Sequence, residues 1–374
     1  MRILLVLLLV MVAVVSGTQS HACSMFTLVR DGMVLMGNNE DYVEPGYVWF
    51  VPAAEGRLGR VNFGFKDRFA QGGMNEKGLC FDAAVTAEVP WAPDPAKKDT
   101  KNLLELIMDT CATVDEAATL FEEYNCRHLA GGHFMLADAS GASIVVTWLP
   151  ESGLNIVLRE GDHQLITNTR LAASGFRCER FVLAERVLRG EPGAPVDVAK
   201  KALDTIHQRG PKAFTSYSNI FDLKARKVHV FNLANYDEMI TLDLAEELAK
   251  GEHRNALKDL FQHSPKLKSI TSATPRVYDT RIQMSDEALT PFLGRYSVLD
   301  GKTIITIERG EAGLLLNPGT GKSAHLFPES ETTFRIVEGG QITFTRSAAG
   351  AVDGFVMYRN GDHKGVRLSG DLSE

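Results

Sequence analysis

The sequence has no apolar run long enough to cross a bilayer. Its longest, residues 3–15 behind Arg2, falls well short of the ~20 residues a spanning helix needs. There is no Cys-x-x-Cys and no His-Glu-x-x-His, and His128 and His133 do not share a helical face, so neither a metal nor another cofactor is expected. Like charges do not gather. Forty Lys and Arg against 47 Asp and Glu give a net charge of −7, with no electrostatic footprint for nucleic acid or anionic lipid. No segment repeats at a fixed period. Cysteine is sparse: Cys23, Cys80, Cys111, Cys126 and Cys178. Setting Cys23 aside leaves four, which allow three pairings or none, and a core this large needs no staples.

What remains is ordinary globular material: 374 residues, 44% apolar, 23% charged and 8% aromatic. That balance excludes a disordered or collagen-like chain, and the length suggests two domains. Arg2, a short apolar run and the small-residue site Ser20-His21-Ala22 read as a secretory signal over residues 1–22. The protein is therefore expected to be secreted or periplasmic, with Cys23 as its new N-terminus.

Beyond the signal, residues 24–30 and 33–38 flank Asp31-Gly32, a hairpin signature. Strands are expected at 47–51, 61–65 and 78–85. Helices are expected at 102–109 and after Thr113-Val114-Asp115-Glu116, a capping box. Strands resume at 133–139, 143–149, 154–158 and 164–167, followed by helices at 177–189 and 196–208. In the second of these, Val196, Ala199, Leu203 and Ile206 form one buried face. Two more strands lie at 215–221 and 227–231. Strands and paired helices in blocks point to an α+β layered sandwich over residues 23–263. Residues 264–285, with Ser264-Pro265 and Pro275, read as a linker. Residues 286–374 hold short strands between Gly-containing turns, the pattern of a small antiparallel barrel or sandwich.

The chemistry starts at Cys23. An N-terminal Cys joins a nucleophile and a base in one residue, because an α-amine titrates at ~7.7–8.0 and a thiol near ~8.5. The amine can take the thiol proton, the thiolate can attack a carbonyl, and the ammonium can protonate a leaving amine. Such a thiol is expected to have a depressed pKa and to alkylate well below pH ~8. The competing readings are a Cys that is merely the next residue, or a lipoprotein acylated at Cys23. The latter wants Leu three residues before the Cys, where this chain has Ser20.

Four motifs carry a resemblance: Cys23-Ser24-Met25-Phe26, Gly37-Asn38-Asn39-Glu40-Asp41-Tyr42, Gly73-Met74-Asn75-Glu76-Lys77-Gly78-Leu79 and Ile166-Thr167-Asn168. In this order they resemble the N-terminal-nucleophile (Ntn) cysteine hydrolases, in particular the choloylglycine hydrolase and penicillin V acylase family and the related acid amidases. The resemblance covers Cys23 to about Phe231. It implies an αββα four-layer sandwich and hydrolysis of a linear, non-peptide N-acyl amide through a thioester, with no cofactor. It assigns Cys23 as nucleophile, Asp41 as the carboxylate that holds the α-amine, and Asn168 as donor to the oxyanion. The implied partner is a small-molecule N-acyl amide; a homo-oligomer is left open, and no nucleic acid or membrane span is expected. The C-terminal domain resembles lipocalin-like modules and reads as a substrate-side lid or an oligomer contact.

The chain departs from this pattern at Asn38, where the resemblance expects an Arg that supports thiol ionisation; Arg170, Arg177 or Arg30 are the candidate replacements. After Leu79 the stretch Cys80-Phe81-Asp82-Ala83-Ala84-Val85 lacks the Asn of the bile-salt branch. The departure at 38 supports a competing class, an exported binding protein that keeps the fold without the activity. Three further features read as decoys or stay open. Gly319-Thr320-Gly321-Lys322-Ser323 lacks the first glycine of a phosphate loop and reads as a turn. Trp49 and Trp91 read equally as an acyl pocket or as packing. Arg177, Arg180, Arg186 and Arg189 read as a solvated helix face.

Overall fold

A computed structural model describes residues 23–170, 175–298, 301, 303–310, 313–319, 321–337, 339–359 and 361–368; the signal segment expected over residues 1–22 lies outside them. The first part of the chain runs β1 (Ser24–Arg30), β2 (Met33–Tyr42), β3 (Tyr47–Val51), β4 (Arg60–Gly64), β5 (Ala70–Asn75) and β6 (Cys80–Val85). Helices α1 (Leu103–Thr110) and α2 (Val114–Glu123) follow, then β7 (Gly132–Ala137), β8 (Ser143–Leu149), β9 (Gly153–Leu158) and β10 (His163–Ile166). Next come α3 (Glu179–Gly190), α4 (Pro195–Ile206), β11 (Phe214–Asp222), β12 (Lys227–Asn232) and β13 (Ile240–Asp243). A short α5 (Leu244–Ala249) and β14 (His253–Ala256) complete this part.

The strands form two sheets in which every pairing is antiparallel. One has the order β10-β1-β2-β11-β12-β13, the other β14-β3-β4-β5-β6-β7-β8-β9. The β1–β2 hairpin turns on Asp31 (φ 51°) and Gly32 (φ 78°), as the Asp-Gly pair predicts. Strand alternation then sorts the side chains. Phe26, Leu28 and Leu35 face one way and pack with Ala184, Leu188, Ala199 and Leu203 of α3 and α4. Met25, Val34 and Met36 face the other way and meet Val61, Phe63, Met74 and Cys80 of the second sheet. The outer face of that sheet gives Phe81, Leu136 and Ile144 to a core with Leu104, Ile107 and Phe121 of α1 and α2. Asn102 caps α1 through its side chain, and the capping box at Thr113 and Glu116 is present.

Strand β5 was not expected from the sequence. Gly72 and Gly73 look like a loop, but each sits where another group comes close. A Cβ at Gly72 would collide with the Asp82 carboxylate, and one at Gly73 with the Val61 carbonyl. Further elements escape the sequence pattern, among them β13, α5 and β14, and the barrel strands β15 (Gly294–Val298) and β22 (Asp362–Arg367).

Residues 264–285 hold a short helix, α6 (Leu267–Thr271), and an arm tied to the surface: the Tyr278 hydroxyl donates to the carbonyls of Ile206 and His207, both at 3.0 Å. After α7 (Asp286–Leu289), β15 is followed by β16 (Thr303–Gly310), β17 (Gly313–Asn317), β18 (Ala324–Pro328), β19 (Thr333–Ile336), β20 (Gln341–Arg346), β21 (Val352–Tyr358) and β22. They form a closed barrel in sequence order, sealed by pairing of β15 with β22. Its interior is filled by Phe292, Tyr296, Phe334, Phe344 and Phe355 in mutual ring contact. The barrel docks on α3: Arg335 donates to the Arg177 carbonyl at 2.9 Å, and Arg186 to the carbonyls of Thr280 and Glu329. All five cysteines are free thiols. Among the described residues no helix is long and apolar enough to cross a membrane.

Candidate active site

Cys23 stands at the head of β1, 3% exposed, on the floor of a cleft of about 1150 Å³. Phe65, Phe69, Leu104 and Phe134 give the cleft apolar walls; Glu44, Asp67 and Glu88 alternate with Lys66, Lys101 and Arg127 among its lining. Among the described residues, those that line the cleft run from Cys23 to Phe134, and none of them belongs to the barrel. Trp49 and Trp91 are absent from the lining. Trp49 is buried beside the Arg254 guanidinium, and Trp91 lies against Trp148.

The three residues assigned by resemblance meet at one guanidinium. Arg180, on the first turns of α3, donates to Asn168 Oδ1 at 2.9 Å, to the Cys23 carbonyl at 3.1 Å and to Ser24 Oγ. Its Nη1 lies 3.5 Å from Asp41 Oδ2. This corrects the solvated-face reading of the four arginines. Arg189 is exposed, but Arg180 reaches the Cys23 carbonyl and Asp41, and Arg177 and Arg186 face the barrel. It also answers which Arg stands near Cys23, because the three candidates from sequence serve elsewhere. Arg170 ties together the carbonyls of Ala87, Leu129, Ala130 and Trp148 and the hydroxyls of Thr86 and Thr147. Arg30 closes the end of α3 at Leu188 and Glu191, and Arg177 bonds Gln341 and Arg335 of the barrel through its peptide group.

Asp41 is 0% exposed and points to the helix side of β2. Its carboxylate accepts from Gln208 Nε2 at 2.7 Å and from Thr215 Oγ1. Burial pushes its pKa up to about 6, against the pull of Arg180 and the two hydrogen bonds. Asn168 donates through Nδ2 to the Val85 carbonyl at 2.7 Å, which leaves the second N–H of the same amide for another acceptor. His133 is a core histidine: burial holds it down to about 4, and its Nε2 lies 2.6 Å from the Thr167 carbonyl, at the base of the Asn168 turn. Among the described residues no three His, Cys, Asp or Glu are grouped to hold a metal.

Glu40 went unremarked in the sequence. The Cys23 thiol donates to Glu40 Oε1 at 3.2 Å, and Asn38 Nδ2 lies 3.5 Å from Glu40 Oε2. Burial, followed by the charges of Glu40 and Asp41, pushes the Cys23 thiol well above its ordinary value. Burial likewise pushes Glu40 up to about 8 and Asp82 well above the carboxylate range. The signal was available: period-2 alternation on β2 puts Asn38 and Glu40 on the same face as Met36, toward Cys23 and Met25.

Neither protein-family profiles nor curated protein sequences match this chain. Solved structures do. A variant of conjugated bile acid hydrolase from Clostridium perfringens matches at a TM-score of 0.50 and 16% identity, covering 67% of this chain and 99% of that one. Penicillin V acylase from Agrobacterium tumefaciens matches at a TM-score of 0.51 and 17% identity, covering 67% and 98%. Over that two-thirds of its length, the chain has the fold of the Ntn cysteine hydrolases.

Proposed function

We propose that this protein is an amidohydrolase that cleaves a linear N-acyl amide with Cys23 as nucleophile. The observation that carries the reading is the placement of the Cys23 thiol on the floor of a large cleft, with Arg180 joining the Cys23 carbonyl to Asn168 and Asp41. In the proposed course the Cys23 thiolate attacks the acyl carbonyl. The free N–H of Asn168 and a backbone N–H hold the oxyanion, the amine departs, and water hydrolyses the thioester. The amide hydrolases that share the fold support the same reaction class. The apolar walls suit an acyl chain, and the mixed charges in the lining suit a polar leaving group.

The reading includes export with cleavage after Ala22, a free Cys23 amine held by Asp41, and a secreted or periplasmic location. The three packed cores support assigning the layers of residues 23–263 as α, β, β and α, with residues 286–374 as a separate barrel domain. A second reading, a binding protein without activity, is favoured by Asn38 in place of Arg.

One experiment separates the two. The exported protein is analysed by intact mass and N-terminal sequencing, then assayed beside Cys23→Ser on a panel of N-acyl amides. The hydrolase reading expects a chain that starts at Cys23. It expects turnover lost in the Ser variant, with stability moved by ~1 kcal/mol or less, because a hydroxyl ionises far less readily than a thiol. Equal turnover in the Ser variant would place the nucleophile elsewhere. A diacylglycerol mass on Cys23 would favour the anchored alternative.

A further inference from the structure

Between the two sheets, behind Cys23, lies a polar patch in an otherwise apolar core. Alternation on β2 points Asn38 and Glu40 between the sheets, as Val34 and Met36 do. On β11, Asn219 falls between Tyr217 and Phe221, both in the inter-sheet core. On β6, Asp82 falls between Cys80 and Ala84, which face the same core. Asn38, Glu40, Asp82, Tyr217 and Asn219 are all buried. Five of their polar atoms have no hydrogen-bond partner: Asn38 Oδ1, Asp82 Oδ2, the Tyr217 hydroxyl and both amide atoms of Asn219. Leaving such groups unpaired costs ~1–3 kcal/mol each, so packing alone does not account for them. Gly72 keeps the space beside the Asp82 carboxylate open, since a Cβ there would fill it.

Within this patch Glu40 is the carboxylate that touches the nucleophile and also lines the cleft. We propose that Glu40 is a further catalytic residue, which takes the Cys23 thiol proton and delivers it to the leaving amine. This rests on the reading of Cys23 as nucleophile, and it makes thiol activation independent of a free α-amine. The proton passes from Sγ to Glu40 Oε1. The sulfur pair forms the S–C bond as the carbonyl pair moves to oxygen. When that pair returns, the C–N bond breaks, its electrons stay on nitrogen, and nitrogen takes the proton from Glu40. Water then gives a proton to Glu40 as its oxygen attacks the thioester. The C–S bond breaks toward sulfur, which is reprotonated by Glu40.

The surroundings match this role. Other titratable groups that face the pair between the sheets are Asp82 and Cys80 on β6 and Tyr217 on β11; Asp41 flanks from the far side of β2. Two buried carboxylates in one patch resist ionising together: burial and the charge of Glu40 raise Asp82, and burial and the charge of Asp41 raise Glu40. A carboxyl held near neutrality exchanges protons with a thiol far better than an ordinary one does. Where the resemblance expects a cation to assist the thiol, this chain supplies a base.

The test compares two octanoyl probes, the 4-methylumbelliferyl ester and the 7-amido-4-methylcoumarin amide, on the full exported protein, Glu40→Gln and Cys23→Ala. The ester leaving group departs without a proton, whereas the amine requires one. Glu40→Gln is expected to lower the amide-to-ester acylation ratio by ~10²–10⁴-fold, with an octanoyl thioester that accumulates on Cys23 in the intact mass. An unchanged ratio in a Glu40→Gln protein with a wild-type melting curve overturns the proposal. If the Glu40→Gln chain does not fold, Glu40→Asp must show a reduced ratio, and a wild-type ratio there overturns it equally. Loss of both reactions in Cys23→Ala, beside an unchanged ratio in Glu40→Gln, rejects Glu40 alone; retention of both in Cys23→Ala rejects the nucleophile itself.

Discussion

Replacing Asp41 by Asn should change the way stability depends on pH, with a sign that can be worked out in advance. Asp41 is 0% exposed, and its pKa rises from 3.8 to about 6 on folding, chiefly through burial. Between those values the native state holds the proton and the unfolded state does not. Stability therefore falls as pH rises through this window, the opposite of a carboxylate whose folded pKa is depressed. Two pKa units at ~1.4 kcal/mol each give a total loss of about 3 kcal/mol, of which roughly 2 kcal/mol falls between pH ~4.5 and ~7.5. Asn cannot ionise and is spared this loss, but it gives up the charge facing Arg180 at 3.5 Å. Urea denaturation of both proteins at the two pH values isolates the effect, because every other titration is common to them. The wild type should gain roughly 2 kcal/mol relative to Asp41→Asn on acidification. A difference that stays constant, or a wild type that loses ground in acid, would show that Asp41 is ionised at little cost in the folded protein and refute the reasoning.

Arg180→Lys keeps a charge but loses the fork that joins Asn168 and the Cys23 carbonyl, so kcat should fall at least tenfold while the melting temperature moves little. Steady-state kinetics beside a melting curve checks it. Asn168→Ala should lower kcat by ~10²–10³-fold with little change in KM, if the amide donates to the oxyanion; a folded variant with near-normal kcat would remove it from the site. Gly72→Ala drives a Cβ into the Asp82 carboxylate and should cost ~1–3 kcal/mol by denaturant titration, whereas Gly131→Ala, with open space around it, should cost less.

Where local chemistry dictates local structure, the sequence was readable. Asp31-Gly32 marked the first hairpin, and Thr113 with Glu116 marked the start of α2. Six of the eight barrel strands stood out between Gly-rich turns, and the missed two, β15 and β22, are those whose mutual pairing closes the barrel. Strand β5 hid behind glycines whose purpose is close approach to Asp82 and Val61. The site divides in the same way. Cys23, Asp41 and Asn168 stand out through their motifs, but the residue on which they converge, Arg180, sits in a helix whose spaced arginines look like a water-facing stripe. That stripe is split by its neighbours: one edge turns into the site, and the other lies under the barrel. Such a division belongs to tertiary packing and leaves no mark on the helix's own sequence.

The antiparallel pairing of β2 with β11 joins Asn38 to Asn219 and Asp41 to Thr215, roughly 180 residues apart in the chain. The hairpin that begins at Cys23 therefore emerges from synthesis long before the strand that completes its sheet. Until β11 arrives, the β1–β2 hairpin presents an open edge with nothing to hold the Asp41 carboxylate. The barrel, by contrast, builds from successive hairpins of short separation. Long-range pairing of the first kind is slow and exposes strand edges, whereas hairpin-by-hairpin growth is fast. A chain released before residue 222 would carry Cys23 but no assembled centre. The centre is thus withheld from the growing polypeptide by the topology itself, at the cost of a slow folding step.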